Sequence, residues 1–137
     1  MLYGAEHVRR YIETDGDEGY HWRRGTTTLI LTTSGRKTGQ PRQHALIFRE
    51  EDGRYVVVAS KGGAANHPEW YQNLTANPEV QVQVRGERFP ARARDATPDE
   101  RPRLWAMMNE VWPDYEGYQA KTSREIPVVI LEPTATG

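Results

Sequence analysis

The chain has 137 residues and a formal net charge of −1, with 18 Lys and Arg against 19 Asp and Glu. This length fits one domain with its own hydrophobic core, and the absence of cysteine excludes disulfides, zinc–thiolate sites and thiol catalysis. The near-neutral charge argues against a nucleic-acid binder. No apolar run approaches the ~20 residues of a membrane span, and the first ten residues lack the apolar core of a secretory signal. We therefore expect a cytoplasmic protein.

The first half of the chain predicts one helix and then three strands, over Ala5–Thr14, Thr27–Thr33, His44–Arg49 and Tyr55–Ser60. The helix is amphipathic, with Val8, Tyr11 and Ile12 on one side. The first strand is rich in β-branched residues, which favour strands. Asp52-Gly53 is a typical two-residue hairpin turn, so the second and third strands are expected to pair.

The second half predicts two helices and three strands. His67 is expected to cap a helix that starts at Pro68 and ends near Ala76. Strands are predicted over Val80–Val84, Arg88–Arg94 and Ile126–Leu131, with Pro90 indicating an edge or a bulge. Thr97-Pro98-Asp99-Glu100 is a capping box for a helix that buries Leu104, Met108 and Val111, and 112–123 is an aromatic-rich loop or short helix.

This order of about six strands and three helices predicts an antiparallel β-barrel with helices packed at its openings. We expect residues 1–137 to form one domain, with 1–24 as an N-terminal helix and lead-in and 25–133 as the barrel core. A parallel doubly wound sheet fits badly, because strands and helices do not alternate.

A basic segment without acidic residues is the first candidate site. No Asp or Glu occurs from Gly19 to Arg49. Within this stretch, Thr32–Arg42 contains two glycines that can turn the backbone into an anion-binding nest, and Arg36, Lys37 and Arg42 supply charge. The pattern predicts a site for a small anion; the alternative is a basic hairpin loop in solvent.

Two further segments are candidates for a ring-shaped ligand. In Ala59-Ser60-Lys61-Gly62-Gly63 the glycines would let a flat ring approach the backbone, and Trp70 on the next helix would form a wall. Plain core packing is the alternative, expected for at least one of Trp70 and Tyr71.

Tyr115 and Tyr118 lie three residues apart, on one face of a helical turn, and could bind and protonate a substrate. Their alternative role is to pack over the barrel mouth. The four histidines have no metal-ligand spacing, and we find no Ser-His-Asp set or carboxylate pair, which suits a protein whose cofactor supplies the chemistry.

These motifs together resemble the deazaflavin-dependent nitroreductase family of actinobacteria. The resemblance covers residues 27–131 and is carried by several ordered motifs: Leu31-Thr32-Thr33-Ser34-Gly35-Arg36-Lys37-Thr38-Gly39 with Arg42, Ala59-Ser60-Lys61-Gly62-Gly63, His67-Pro68-x-Trp70-Tyr71-x-Asn73-Leu74-x-Ala76-Asn77-Pro78, Tyr118–Thr122 and Ile126–Val129.

The resemblance implies a split β-barrel that binds the 8-hydroxy-5-deazaflavin coenzyme (coenzyme F-420). It places the anionic tail on Arg36, Lys37, Thr38, Gly39 and Arg42. It places the ring against Ala59, Ser60, Lys61, Gly62 and Gly63, with Trp70 and Asn73 lining the same pocket. It assigns Tyr115 and Tyr118 to the substrate side.

The implied reaction is hydride transfer from C5 of the reduced coenzyme to a quinone, nitroaromatic or conjugated enone, with a proton from a tyrosine, Ser60 or water. Two alternatives stay open: an FMN-binding split-barrel oxidoreductase, and a non-catalytic protein that carries the coenzyme. We expect a small-molecule acceptor, no nucleic-acid partner and no metal, and either a monomer or a homodimer. Contact of the Ala5–Thr14 helix with a membrane surface is a further alternative.

Overall fold

One antiparallel sheet of seven strands organises residues 2–134, the part of the chain that the computed structural model describes. The strands are β1 (Thr28–Ser34), β2 (Pro41–Ile47), β3 (Arg49–Glu51), β4 (Arg54–Val58), β5 (Glu79–Val84), β6 (Glu87–Asp95) and β7 (Val128–Pro133). Their order across the sheet is β2-β1-β5-β6-β7-β4-β3.

Four α-helices surround this sheet: α1 (Gly4–Glu13), α2 (Glu69–Ala76), α3 (Arg101–Val111) and α4 (Asp114–Ala120). Short 3₁₀ turns occupy Arg23–Gly25 and Lys61–Gly63. Within residues 2–134, every helix is too short or too polar to cross a lipid bilayer.

The sheet closes into a barrel at Phe48. This residue is the only one between β2 and β3, which occupy the two opposite edges of the sheet. Its backbone N–H donates to Thr27 O at 3.1 Å, so the chain stays attached to the start of β1 as it bends. β2 and β3 therefore act as one bent strand that pairs with β1 along one half and with β4 along the other, as in a barrel of six strands.

Alternation along the strands divides the apolar residues into two layers. One set fills the barrel interior, including Leu29, Val57 and Leu131. Their chain neighbours, such as Val58 and Ile130, face outward and are covered by α3 and α4. Successive side chains of a strand point to opposite faces, so strands buried on both faces must be apolar throughout.

Local signals in the sequence predict the β3–β4 hairpin turn and the capping-box hydrogen bonds, although α3 itself begins at Arg101, directly after the box. Asp52 and Gly53 adopt left-handed conformations, with φ of 53° and 76°, which the two-residue hairpin requires. The capping box forms: Thr97 Oγ1 accepts from Glu100 N at 3.2 Å, and Glu100 Oε1 accepts from Thr97 N at 2.9 Å.

Polar contacts attach α1 to the barrel. Tyr11 is fully buried, donates to Thr28 O at 2.8 Å and accepts from Arg85 N at 2.9 Å. His7 Nε2 lies 2.9 Å from Gly19 O. The predicted apolar side of this helix is only partly buried, because Val8 and Ile12 remain half exposed beside β2.

Two local predictions were wrong. The strand β6 is internal, and Pro90 pairs with Gln81 in regular register. Pro90 O accepts from Thr134 N at 3.0 Å, which shows that the backbone polar groups of Pro90 point toward the β7 side of β6. β7 ends at Pro133, so the N–H that proline lacks is not needed for a hydrogen bond within the β6–β7 ladder. His67 does not cap α2, which begins at Glu69 after Pro68 without a side-chain cap.

Candidate functional site

Two cavities meet at strand β2. The larger has a volume of about 670 Å³ and lies between β2, the turn at 60–62 and α4. The smaller has a volume of about 410 Å³ and lies between the β1–β2 loop and α2. Among the described residues, His44 alone lines both. They are therefore neighbouring cavities with chemically different linings.

The smaller cavity is built by the β1–β2 loop, residues 35–40. Gly35 N donates to Gln40 O at 2.8 Å and Gly39 N to Gly35 O at 2.7 Å, which closes the loop on itself. Gly39 has a φ of 73°, and Thr38 Oγ1 accepts from Gln40 N at 3.2 Å. Thr38 and Gly39 therefore shape the loop, although Gly39 does not itself line the cavity.

The charge of this cavity is positive. Arg36, Lys37 and Arg42 line it, against one carboxylate, Glu69. Arg36 Nη1 lies 2.7 Å from Glu69 Oε2 and lowers the pKa of that carboxyl group. Neither Lys37 nor Arg42 forms an ion pair with any residue in 2–134, so two cations remain to bind an anion.

Asn73 orients Arg36. It is 3% exposed, and its Oδ1 accepts from Arg36 N at 3.2 Å and from Arg36 Nη1 at 3.0 Å. Its Nδ2 donates to Thr33 Oγ1 at 3.2 Å. Asn73 was expected beside the ring, but it lines the smaller cavity, where it connects α2 to the basic loop and fixes the guanidinium of Arg36.

The larger cavity is mostly apolar and aromatic. Its walls are β2, the 60–62 turn and five aromatic side chains: Tyr3, Trp22, Trp112, Tyr115 and Tyr118. Trp22 stacks on Trp112 at 6.0 Å between ring centroids, with 22° between the planes. A concave aromatic pocket with few polar groups fits a flat conjugated ring together with a flat acceptor.

The turn at 60–62 brings backbone to the cavity surface. Ser60, Lys61 and Gly62 line the cavity. Gly62 has a φ of 61°, and open space surrounds the position that a Cβ would occupy. Lys61 also has a positive φ, 47°, which is uncommon for a residue with a side chain and often marks a functional turn.

Gly63 has a different role from the one predicted. Its φ is 81°, and a Cβ there would lie 2.6 Å from Tyr118 O. The glycine is therefore required so that α4 can pack on the turn. It does not line the cavity, and a ring could not reach it from that side.

Arg124 holds the turn from behind and was missed in the sequence. It donates to Ala59 O at 3.2 Å, Ser60 O at 2.6 Å and Ala64 O at 2.8 Å, and its Nη1 lies 3.0 Å from His67 Nδ1. Burial lowers the pKa of this guanidinium. The only signal is its place between the matched segments 118–122 and 126–129, because one arginine makes no local pattern.

Both predicted tyrosines line the larger cavity, with different exposure. Tyr115 is 5% exposed, and burial raises the pKa of its phenol. Tyr118 is half buried, and its hydroxyl accepts from Trp112 Nε1 at 3.3 Å. Their rings meet edge to face at 6.2 Å.

Trp70 and Ala59 lie in the barrel core, which corrects their assignment to the ring site. Trp70 is 5% exposed, packs with the interior cluster and lines neither cavity. Tyr71 is also buried and donates to Asp95 Oδ2 at 2.9 Å. The aromatic wall is provided instead by Trp22 and Trp112, which the sequence analysis did not single out.

Comparisons with known proteins identify relatives of this chain. The family model described as F420H(2)-dependent quinone reductase matches residues 3–133. An F420H(2)-dependent quinone reductase of Mycobacterium tuberculosis is 41% identical over 128 residues, covering 91% of this chain and 86% of that protein.

Two solved structures share the fold at substantial identity. A structure described as an F420-H2 dependent reductase is 44% identical with a TM-score of 0.71, and the match covers 77% of this chain and 93% of that one. A second, described as a domain-swapped dimer, is 41% identical with a TM-score of 0.73 and covers 93% and 95%. The split-barrel fold expected from the sequence is confirmed.

Proposed function

Because the chain belongs to the F420H(2)-dependent quinone reductase family, we propose that it transfers a hydride from reduced coenzyme F-420 to a quinone-type acceptor. The observation that carries this proposal is the pairing of a cationic cavity with an aromatic one, joined at His44. A coenzyme with a flat ring and an anionic tail needs both ends of such a site, in that arrangement.

The residues of the smaller cavity are proposed to bind the tail. Within residues 2–134, Lys37 and Arg42 pair with no carboxylate, and Arg36 is oriented by Asn73. A fixed guanidinium binds phosphate or carboxylate through two parallel hydrogen bonds.

The residues of the larger cavity are proposed to position the ring and the acceptor and to exclude water. Bound there, the reduced deazaflavin supplies the hydride from its C5 position. The 60–62 turn supports one face of the cavity, and Trp112 and Tyr115 close it against solvent. Holding the two reactants in contact provides most of the catalysis that such a protein can supply.

A proton must also reach the reduced acceptor, and Tyr118 is proposed to deliver it. The hydroxyl of this half-buried residue lines the cavity, where it accepts a hydrogen bond from Trp112 Nε1. An incoming N–H bond leaves the phenol proton available to an acceptor oxygen. Tyr115, Ser60 and water are the alternative donors.

Titration of the purified protein with coenzyme F-420, followed by coenzyme fluorescence, tests the proposal. We expect binding at micromolar concentration or tighter, and oxidation of the reduced coenzyme when a quinone is added. Absence of binding would refute the proposal. Binding without turnover on quinones, nitroaromatics or enones would favour the coenzyme-carrier alternative, and tighter binding of FMN would favour the flavin alternative.

The oligomeric state of the chain is proposed from one similar structure. The structure described as a domain-swapped dimer favours a homodimer over a monomer for this chain, and light scattering after size-exclusion chromatography would distinguish them. We propose a cytoplasmic location, as expected for a consumer of a cytoplasmic redox coenzyme. Sedimentation of the protein with lipid vesicles would reveal any contact of α1 with membranes.

A further inference from the structure

His67 lies behind the turn that lines the larger cavity. It belongs to the short segment between this turn and α2, and its half-buried ring packs on Tyr71 of α2 at 4.7 Å between ring centroids. His67 lines neither the larger nor the smaller cavity. Any effect of this residue on a ligand bound there must therefore act through another side chain.

That side chain is Arg124. Its guanidinium donates to three carbonyl oxygens of the 59–64 segment, which contains the turn, at distances of 2.6 to 3.2 Å. Its Nη1, which donates to Ala59 O, also lies 3.0 Å from Nδ1 of His67. One nitrogen of the guanidinium thus contacts both the turn and the imidazole.

The contact between Arg124 and His67 requires a neutral imidazole. A guanidinium has donors and no acceptor, so Nδ1 of His67 must accept, and the proton of the neutral ring must be on Nε2. Protonation would place a hydrogen on Nδ1 as well, which removes the acceptor and puts a second positive charge beside the guanidinium. Within residues 2–134, Arg124 forms no ion pair with a carboxylate that would offset this repulsion.

We propose that His67 is a positioning residue for the coenzyme ring: its neutral imidazole holds Arg124 against the 59–64 segment, and its protonation loosens the turn and weakens coenzyme binding in acid. This inference rests on the proposed function, because it requires the ring of the coenzyme to lie against the 60–62 turn. It assigns His67 no contact with the coenzyme or the acceptor.

Several elements bring charged or titratable groups to the ring of His67. These groups are Arg124 before β7, Tyr71 on α2, Asp95 at the end of β6, and Arg101 of α3 with Glu125, which line the same cavity of about 150 Å³. Arg101 Nε lies 3.7 Å from Glu125 Oε2, so these two charges offset each other.

The balance of these groups keeps His67 neutral at pH 7. Burial, followed by the charge of Arg124, lowers the pKa of His67, and the opposing carboxylate of Asp95 does not compensate. The imidazole is therefore protonated only below about 6.5, the ordinary pKa of histidine. The loosening of the turn belongs to this acidic range.

Coenzyme binding at two pH values tests the inference. We expect calorimetric titration with coenzyme F-420 to show an affinity loss between pH 7.5 and 5.0 that is about tenfold larger in the native chain than in His67→Gln. Glutamine keeps an acceptor oxygen for Arg124 and cannot be protonated, so at pH 7.5 this variant should bind within about twofold of the native chain. Comparing the two chains at the same pH cancels the ionisation of the coenzyme itself.

Two further variants complete the comparison. His67→Phe keeps a ring against Tyr71 but removes the acceptor, so it should bind the coenzyme weakly at both pH values. His21→Gln is the matched control, because Arg85 Nη2 lies 3.2 Å from His21 Nε2 in an exposed pair that lines neither of the two cavities. It should keep the pH dependence of the native chain.

Amide hydrogen exchange of the coenzyme-free protein separates this inference from the proposed function. After correction for the intrinsic effect of pH on exchange, residues 60–66 should exchange faster at pH 5.0 than at pH 7.5 in the native chain, and equally at both in His67→Gln. A purely structural role for His67 would instead lower the melting temperature of His67→Gln at pH 7.5 and raise exchange throughout the chain.

Two outcomes would overturn the inference. One is the same pH dependence of coenzyme affinity in the native chain and His67→Gln, and the other is exchange of residues 60–66 that does not respond to pH. If the native chain shows the expected exchange but binds no coenzyme at either pH, the proposed function fails, whereas the coupling of His67 to the turn stands.

Discussion

Arg36 and Lys37 are chain neighbours with different tasks. Arg36 is bound to Glu69 and Asn73, so part of its charge is neutralised and its position is fixed. Lys37 has no such partner within residues 2–134 and contributes its whole charge to the cavity. Of these two adjacent basic residues, Arg36 therefore has a fixed orientation, and Lys37 supplies the charge that attracts an anion.

Replacing Lys37 by glutamate should weaken binding of coenzyme F-420 by about tenfold or more, since a charge-assisted contact becomes a repulsion. The native affinity should also fall as salt is added.

Arg36→Glu should lose affinity for the coenzyme as well. Its melting temperature should be lower, because Asn73 loses its hydrogen-bonding partner. Fluorescence titration measures the three effects on affinity, and thermal melting measures the stability of Arg36→Glu.

Arg92→Glu makes the same charge change on the exposed surface, outside both cavities, and is the matched control. Equal affinities for Lys37→Glu and the control would mean that the tail does not lie in the smaller cavity.

Tyr118→Phe should lower kcat with a quinone by about tenfold or more, because general-acid groups typically contribute at least that much. Coenzyme affinity should change by less than about twofold, since the ring of the residue remains. Stopped-flow turnover and fluorescence titration separate the two. Equal turnover in Tyr118→Phe and the native chain would mean that Tyr118 only packs against its neighbours. A loss of turnover in Tyr115→Phe instead would identify Tyr115 as the proton donor.

The 59–64 segment depends on an element that is distant in the chain. Three of its carbonyl groups accept hydrogen bonds from Arg124, which precedes β7. Gly63 meanwhile packs against the backbone of α4. The turn has no regular structure of its own beyond one 3₁₀ turn, so its shape is set by these two contacts.

Arg124→Lys should lower coenzyme affinity by about tenfold while the fold persists, since an ammonium group cannot contact three carbonyls in the fixed geometry of a guanidinium. Amide hydrogen exchange of residues 60–66 should become faster, which reports the loosened turn directly. Arg88→Lys on the exposed β5–β6 hairpin is the control. Unchanged exchange in Arg124→Lys would contradict this role.

At the scale of the whole molecule, the barrel carries the site on its split edge. β2 provides residues to both cavities, α2 and the β1–β2 loop enclose one end, and α4 encloses the other. Two histidines, one on β2 and one beside the ends of β6 and β7, have a lowered pKa: His44 through burial, and His67 through burial and then the adjacent Arg124, with Asp95 opposing. The stability of the fold is therefore linked to pH.

The folded state should lose stability as the pH falls through about 6.5, the ordinary pKa of histidine. Below this pH the unfolded chain binds protons that the folded chain resists, so the free energy of unfolding decreases until the lowered folded-state pKa values are passed. Urea unfolding at pH 7.5, 6.5 and 5.5 measures the slope. Carboxylates such as Glu69, whose pKa is also lowered, lose their contribution only below about 4.5.

The double variant His44→Leu with His67→Gln should flatten this dependence between pH 7.5 and 5.5. A slope equal to that of the native chain would mean that other groups dominate.

Local patterns in the sequence determined where the chain turns and which strands are buried. Asp52-Gly53, the capping box at Thr97 and the alternation in Val80–Val84 act over a few residues, so they can be identified without the fold. The basic loop and the glycine turn each line a cavity, and their residue types, which suggest the chemistry, can be identified from the sequence alone. The family resemblance rests on the same local motifs.

Only the tertiary structure decided which side chains share a cavity. Trp70 and Trp112 look alike in sequence, yet one fills the barrel and the other lines the site. Arg124 contacts carbonyls some 60 residues away in the chain, and His44 becomes a junction only because the barrel closes at Phe48. Such contacts depend on how distant segments pack, since no local pattern encodes the distance between them.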